Sequence, residues 1–220
     1  MKLKIEVEIL RHTSSVSWTY SQLDSKQREI ADRVRKGGRG ALLLSEVAPV
    51  ITRGRRTQNH DLLTSEEELR RLGISSYLSD RGGLATYHGL GQWLLFAVDR
   101  LENLTGDRRG VRKGVEGLLE IAWKVGLQYY SHCQIRSGNE MGVWTPRGKF
   151  AAVGIHIEQG VLLHGLAVNG FRTSQSFVGL RPCGLDAPVD FLLDQPFESD
   201  FLDLGNRLIR EALQKFWNRS

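Results

Sequence analysis

Cys183, Lys149 and the glycine-rich run from Arg81 to Gln92 are where this 220-residue sequence concentrates side chains capable of chemistry. Cys183 stands in RPCGL (181–185), a short turn-like run in which a thiol beside glycine is open to an incoming electrophile; its thiolate would be the nucleophile. Lys149 is the second residue of GKFAAVG (148–154), between a turn and a strand of small residues. Partial burial of its ammonium there would suit it to take and return a proton. The run RGGLATYHGLGQ (81–92) holds four glycines, which let backbone approach a ligand or take positive φ angles. Around them, Arg81, Thr86, Tyr87, His88 and Gln92 offer polar contacts. The run has neither the G-x-G-x-x-G spacing of dinucleotide sites nor a phosphate-loop Lys-Ser or Lys-Thr. Each stretch also has a purely structural reading, as a tight turn, a solvated lysine or a packed thiol, and none decides the matter alone.

His88 and His164 each precede a glycine and are expected to orient the loop and line a pocket, whereas His12, His60 and His156 carry no readable signal. There is no H-E-x-x-H or other compact ligand spacing, so neither a catalytic metal nor another cofactor is expected. Cys133, beside His132, reads as a packing residue. The two cysteines form no C-x-x-C pair and no disulfide framework, which fits a reducing, intracellular setting.

These residues need elements to position them. Alternation at 2–9 predicts a strand, and Ile30 and Val34 predict a helix over 24–34 that ends near Gly37-Gly38. Residues 41–47 read as a core strand. Thr64 or Ser65, each with a glutamate three residues on, opens a short helix through Leu72, and a strand follows at 74–78. The apolar run at 93–98 is either a buried strand or a helix start. A helix is expected over 111–125, strands at 127–132, 141–144, 150–155 and 161–168, and a turn at 146–148. Phe201, Leu204, Leu208, Ile209, Leu213 and Phe216 recur at helical spacing and predict an amphipathic C-terminal helix over 199–217. Strands and helices without strict alternation imply an α/β (α+β) fold with a mixed, partly antiparallel sheet flanked by helices. One domain over residues 1–220 is expected.

The hydrophobic fraction of 40% and charged fraction of 25% exclude disordered and collagen-like classes. Net charge is a modest +5, but it is unevenly placed. Between Lys26 and Arg56 there are nine basic and three acidic residues, while between Asp186 and Asp203 there are six acidic residues and no basic one. Such polarity suits an acidic partner on one side. Without a recognition motif it does not point to nucleic acid. The start MKLKIEVEIL lacks the apolar run of a signal peptide, and no stretch is long enough to span a membrane, so the expectation is a soluble cytoplasmic protein.

The strings RGGLATYHGLGQ, GKFAAVG, LLHGLAVN (162–169) and RPCGL, in that order, resemble the lipoate-biosynthesis octanoyltransferases, also called lipoyl(octanoyl) transferases. The resemblance runs from about Gly40 to Leu185 and takes in ITRGRR (51–56) and TSEEELRRLGI (64–74). It implies an α/β module related to biotin and lipoate ligases. It also implies transfer of octanoyl from octanoyl-acyl carrier protein to a lysine of lipoyl domains, those of 2-oxoacid dehydrogenase complexes or the glycine cleavage H protein. On this resemblance Cys183 carries the acyl thioester and Lys149 is the site lysine. The substrate-lining positions fall on Arg81, Gly82, Gly83, Leu84, Ala85, Thr86, Tyr87 and His88, on Ala152, Val153 and Gly154, and on Gly165, Leu166 and Ala167, with His164 and Gln92 in support. The family usually has proline where this chain has Leu90, which is expected to loosen or reshape that turn.

For such chemistry, Lys149 supports the thiolate of Cys183 and later takes a proton from the acceptor amine. Six octanoyl methylenes at about 0.8 kcal/mol each would contribute roughly 5 kcal/mol in an apolar slot, with Ala151, Ala152, Gly154 and Gly165 leaving room for it. The basic region between Lys26 and Arg56 is expected to attract the acidic carrier. The rival readings are an ATP-dependent lipoate or octanoate protein ligase and a non-catalytic module that binds acyl carrier protein.

Overall fold

The computed structural model describes residues 5–180 and 188–218, so Cys183 lies outside the described residues. Seven strands form the main sheet: β1 (Glu6–Arg11), β2 (Ala41–Glu46), β6 (Gln92–Val98), β10 (Val161–Asn169), β9 (Gly148–Glu158), β8 (Gly142–Thr145) and β7 (Gln134–Arg136), in that spatial order. Only the β1–β2 pair is parallel; the remaining neighbours run antiparallel. A smaller sheet orders β4 (Ser75–Leu78), β3 (Val50–Arg53) and β5 (Thr86–His88). The fold is thus a mixed α/β arrangement with helices on both faces of its main sheet.

The apolar run at 93–98 is a strand because both its faces are covered, and such a strand is apolar at every position. Trp93, Leu95 and Ala97 face α4 (Val111–Gly126) and α5 (Glu198–Phe216), together with Leu42 and Leu44 of β2. Leu94, Phe96 and Val98 face α1 (Tyr20–Arg35), together with Ala41 and Leu43. The first of these cores is completed by Phe201, Leu204 and Leu208 of α5 and by Leu118, Ile121 and Ala122 of α4. Phe201 stacks on Trp93 with ring centroids 4.4 Å apart.

Some boundaries differ from the sequence expectation. α1 starts four residues before 24 because Thr19 and Gln22 form a reciprocal capping box that satisfies its first amides. Of the two candidate caps for α2 (Glu66–Arg71), Ser65 accepts the Glu68 amide. Residues 127–132 are not a strand. The amides of Leu127, Gln128, Tyr129 and Tyr130 all donate back to carbonyls in the last turn of α4, so this stretch closes that helix. Cys133 is buried beneath α4, as a packing residue should be. Among the described residues, no helix is long and apolar enough to cross a membrane.

Candidate active site

Between the α1 side of the main sheet and the glycine-rich segment lies a cavity of about 530 Å³, including its open mouth. Its roof is Arg81, Gly82, Gly83, Leu84, Ala85, Thr86 and His88; its floor is Leu94 and Phe96 of β6, Ala152, Val153 and Gly154 of β9, and Gly165, Leu166 and Ala167 of β10. Tyr20 and His164 complete the wall. Small residues on the floor follow from strand pairing: Ala152 sits opposite Ala167 and Gly154 opposite Gly165. Three sequence-separated motifs thus share one cavity.

Two expected wall residues do not belong to it. Tyr87 is 1% exposed and points away from Thr86 and His88, its neighbours on β5, into a separate apolar cluster where its ring lies 5.4 Å from that of Phe177. Alternation along the strand makes this unavoidable. Ala151 packs toward α4 and borders the Lys149 cleft rather than the longer cavity.

The glycine-rich run is turned by residues 89–92, where the Gln92 amide donates to the Gly89 carbonyl at 3.2 Å and Gly91 has φ of +79°. A positive φ at the third position is the requirement of a type II turn, which glycine meets without strain. Leu90 therefore occupies the position where proline would pre-set φ, and the turn closes without it. The expected reshaping is not seen: the turn is closed with leucine in that position.

The next residue, Gln92, fixes His88. Asn169 donates to the Asp190 backbone carbonyl at 3.0 Å, which leaves its side-chain oxygen to accept from Gln92 Nε2 at 2.8 Å. Gln92 Oε1 must then accept from His88 Nδ1 at 2.6 Å, placing the ring proton on Nδ1. Nε2 of His88 carries the lone pair. Burial pushes the His88 pKa down to about 3, with the Arg81 charge acting the same way.

His164 is held by a different device. Its strand neighbours Leu162 and Leu166 pack toward α4, yet its own ring contacts α1, because φ at His164 is +58°. That left-handed conformation is costly for a non-glycine residue and is sustained by what surrounds it. Gln27 Oε1 accepts the His164 amide at 2.7 Å, and Gln27 Nε2 donates to ring Nδ1 at 3.1 Å, where the Tyr20 hydroxyl also lies. Ring Nε2 then donates to Asp80 at 2.6 Å. The His164 and Arg28 hydrogen bonds hold the Asp80 carboxyl well below the usual range. Burial raises the Tyr20 phenol.

Asp24, Asp80 and His164 bring possible metal-ligand atoms within 4.8 Å of one another. The guanidinium of Arg28 already bridges the two carboxylates, at 2.9 Å from each, and Tyr77 and Gln27 donate to Asp24. The positive charge this cluster needs is supplied from within the chain.

Lys149 lies beyond the floor residues, in a smaller cleft that shares Thr86, Ala152 and Ala167 with the main cavity and adds Gln92, Asn169, Phe177 and Val189. Its ammonium is 5.6 Å from the Trp144 ring centre. Its stem crosses Gly142, where a Cβ would come within 2.2 Å of Lys149 Cε, so only glycine leaves the lysine its path. The Lys149 amide donates to the Pro188 carbonyl and its carbonyl accepts the Asp190 amide, each at 2.9 Å. On the other flank, Leu180 bridges to Leu62. The chain on both sides of 181–187 is therefore anchored, one side directly on Lys149.

Sequence reasoning missed Tyr20, Leu94 and Phe96 as walls and Gln27, Asp80 and Asn169 as supports. The Thr19–Gln22 capping signature gave the one available signal, since it fixes Tyr20 as the first helical residue.

The model of the lipoyl protein ligase A/B catalytic domain family matches residues 20–211. The octanoyltransferase of Magnetococcus marinus is 36% identical over 200 residues, covering 90% of this chain and 85% of its own. That of Alkaliphilus metalliredigens is 34% identical over 209 residues, covering 89% and 94%. Among solved structures, a lipoate-protein ligase A bound with ATP superposes with a TM-score of 0.67 at 13% identity, covering 97% of this chain and 86% of that one, a similarity of fold.

Proposed function

Because this chain belongs to the lipoyl protein ligase A/B catalytic domain family and, within it, to the octanoyltransferases, we propose that it carries octanoyl from acyl carrier protein to a lysine of lipoyl domains. It is an enzyme of the lipoyl(octanoyl) transferase type. In this reading residues 1–220 act as one catalytic domain. The acceptors are the lipoyl domains of 2-oxoacid dehydrogenase complexes or the glycine cleavage H protein. The cytoplasm is the fitting compartment, because a nucleophilic thiol must stay reduced.

The Cys183 thiolate attacks the donor thioester carbonyl, forming a carbon–sulfur bond and a tetrahedral oxyanion. Collapse breaks the original carbon–sulfur bond, and the departing carrier thiolate takes its proton from the Lys149 ammonium. The uncharged acceptor lysine then attacks the Cys183 thioester while Lys149 receives the amine proton, directly or through water. Breaking the second carbon–sulfur bond restores the thiolate and leaves the octanoyl amide. Arg81, Thr86 and His88 above, with Leu94, Ala152 and Ala167 below, hold the acyl chain.

The observation that carries this reading is that the cavity and the Lys149 cleft are neighbours, with Thr86, Ala152 and Ala167 in the walls of both. An acyl chain in the larger space would present its carbonyl toward that lysine. The Pro188–Asp190 ladder on Lys149 also brings the chain that follows Cys183 to the same place; the five residue steps from Cys183 to Pro188 span at most about 18 Å. Initial-rate kinetics without ATP test the reading. Parallel double-reciprocal lines for donor and acceptor are expected. Transfer from free octanoate only when ATP is present would instead identify a ligase, the activity class of the structural relative solved with ATP.

A further inference from the structure

The nine basic residues between Lys26 and Arg56 do not share one fate in the fold. On α1, Lys26 faces Glu8 at 3.3 Å, Arg28 binds Asp24 and Asp80, Arg33 reaches Glu6 at 2.6 Å, and Arg35 binds Asp32 and Glu158. Every cation on that helix is matched by a carboxylate of the same chain. Arg53 likewise meets Glu66 at 3.3 Å. Lys36 and Arg39 have no ion pair among the described residues, but they lie past the C-terminal end of α1. Tyr20, which lines the cavity, begins that 16-residue helix, so Lys36 is about 24 Å away along its axis.

Arg55 and Arg56 are different. Residues 54–57 form a tight turn in which the Thr57 amide donates to the Gly54 carbonyl at 3.0 Å, and the two arginines occupy its exposed tip. The turn is fastened to the cavity roof: the Arg55 amide donates to the Arg81 carbonyl and the Arg56 amide to the Gly83 carbonyl, each at 3.1 Å. The Arg55 guanidinium donates to His156 Nε2 at 3.2 Å. Neither arginine faces a carboxylate within ion-pair distance among the described residues. Two adjacent cations are thus held side by side, unneutralised, on the rim of the cavity.

We propose that this turn is the docking point for the acidic face of the acyl donor protein, an inference that rests on the octanoyl-transfer reading above. Guanidinium forks pair well with surface carboxylates, and unscreened charge of this kind speeds encounter and strengthens the complex at low ionic strength. The occupant is the carrier's protein surface and not the phosphate of its prosthetic arm. An arm threading into the cavity meets the groups that line it, and neither arginine is among them. The expected attraction of the 26–56 region thereby narrows to two residues, with the cations of α1 serving the fold.

The test compares R55E/R56E with K36E/R39E, which makes the same charge change at unpaired residues remote from the cavity. Binding of fluorescently labelled octanoyl-acyl carrier protein is measured by anisotropy at low ionic strength, and the folding of each variant is verified by thermal unfolding. R55E/R56E should weaken carrier binding about tenfold or more, K36E/R39E should bind within about twofold of wild type, and added salt should shrink the difference. R55Q/R56Q should show an intermediate loss. Unchanged binding by R55E/R56E would overturn the proposal, as would an equal loss in K36E/R39E. Equal weakening toward octanoyl-phosphopantetheine, the arm without its protein, would also overturn it by assigning the arginines to phosphate. Should wild type bind carrier through this turn yet move no octanoyl group, docking stands and the transfer reading falls.

Discussion

Toward α4 and α5, the main sheet turns Leu42, Leu44, Trp93 and Leu95 into a core that also takes in Phe201, Leu204 and Leu208, each at most 1% exposed. Toward α1, β6 turns Leu94 and Phe96 to a cavity, and beyond them lie His164, Gln27, Asp24 and Asp80, bound to one another and to Arg28. One side is a close-packed apolar core, with the Arg11–Glu46 ion pair over its Trp93 and Phe201 rings. The other leaves space and holds buried polar groups that must all find partners. Both sides carry an apolar core, but the cavity and its polar network lie only toward α1, and the strained φ of His164 falls on that side.

Breaking the packed side should show the largest effect. Phe201→Ala removes a fully buried ring stacked on Trp93 and should cost about 3–5 kcal/mol in urea unfolding, with transfer per folded molecule retained. The cavity side should respond the other way. Ala152→Leu fills space at the junction of the two clefts and should leave stability nearly intact. If it displaces four methylenes of the chain, octanoyl transfer should lose about 3 kcal/mol of binding, on the order of 100-fold in kcat/KM.

Acid should also separate the two sides. The folded protein keeps His88 unprotonated down to about pH 3, whereas in the unfolded chain it takes a proton near pH 6.5. Its contribution is therefore complete above about pH 7 and is lost progressively as pH falls through 6.5 toward 3. The Asp80 carboxyl, depressed from its usual 3.8, acts only at the lower end of that window. Between pH 7 and 5, His88→Gln should flatten the decline in unfolding free energy, and Phe201→Ala should shift the curve without changing its slope. The smallest effect is expected at Leu90→Pro. Proline suits the second position of the closed 89–92 turn and should add about 0.4–1 kcal/mol, a rise in Tm of about 1–4 °C.

The packed side was largely legible in the sequence. Helical spacing located α4 and α5, and the apolar runs at 41–47 and 161–168 became central strands. The run at 93–98 could not be assigned from periodicity because burial on both faces erases it. The cavity side was legible where motifs stand in line, as with the roof at 81–88 and the floor at 152–154 and 165–167. Residues that arrive through tertiary packing were not. Tyr20 and Gln27 reach the site from α1, and Asp80 gains meaning only beside His164 and Arg28. Tyr87 was misplaced because a motif read as a string ignores strand alternation, and 127–132 because apolar and aromatic residues after a helix resemble a strand until the helix-end carbonyls are counted.

The proposed route takes a covalent octanoyl group through Cys183 beside Lys149. Intact-mass spectrometry after mixing with octanoyl-acyl carrier protein, followed by addition of lipoyl domain, tests it most directly. The protein should gain one octanoyl group that maps to Cys183, is absent in Cys183→Ala, and disappears as the lipoyl domain gains the same mass. Octanoylated lipoyl domain produced by Cys183→Ala at the wild-type rate, with no acylated intermediate, would contradict it.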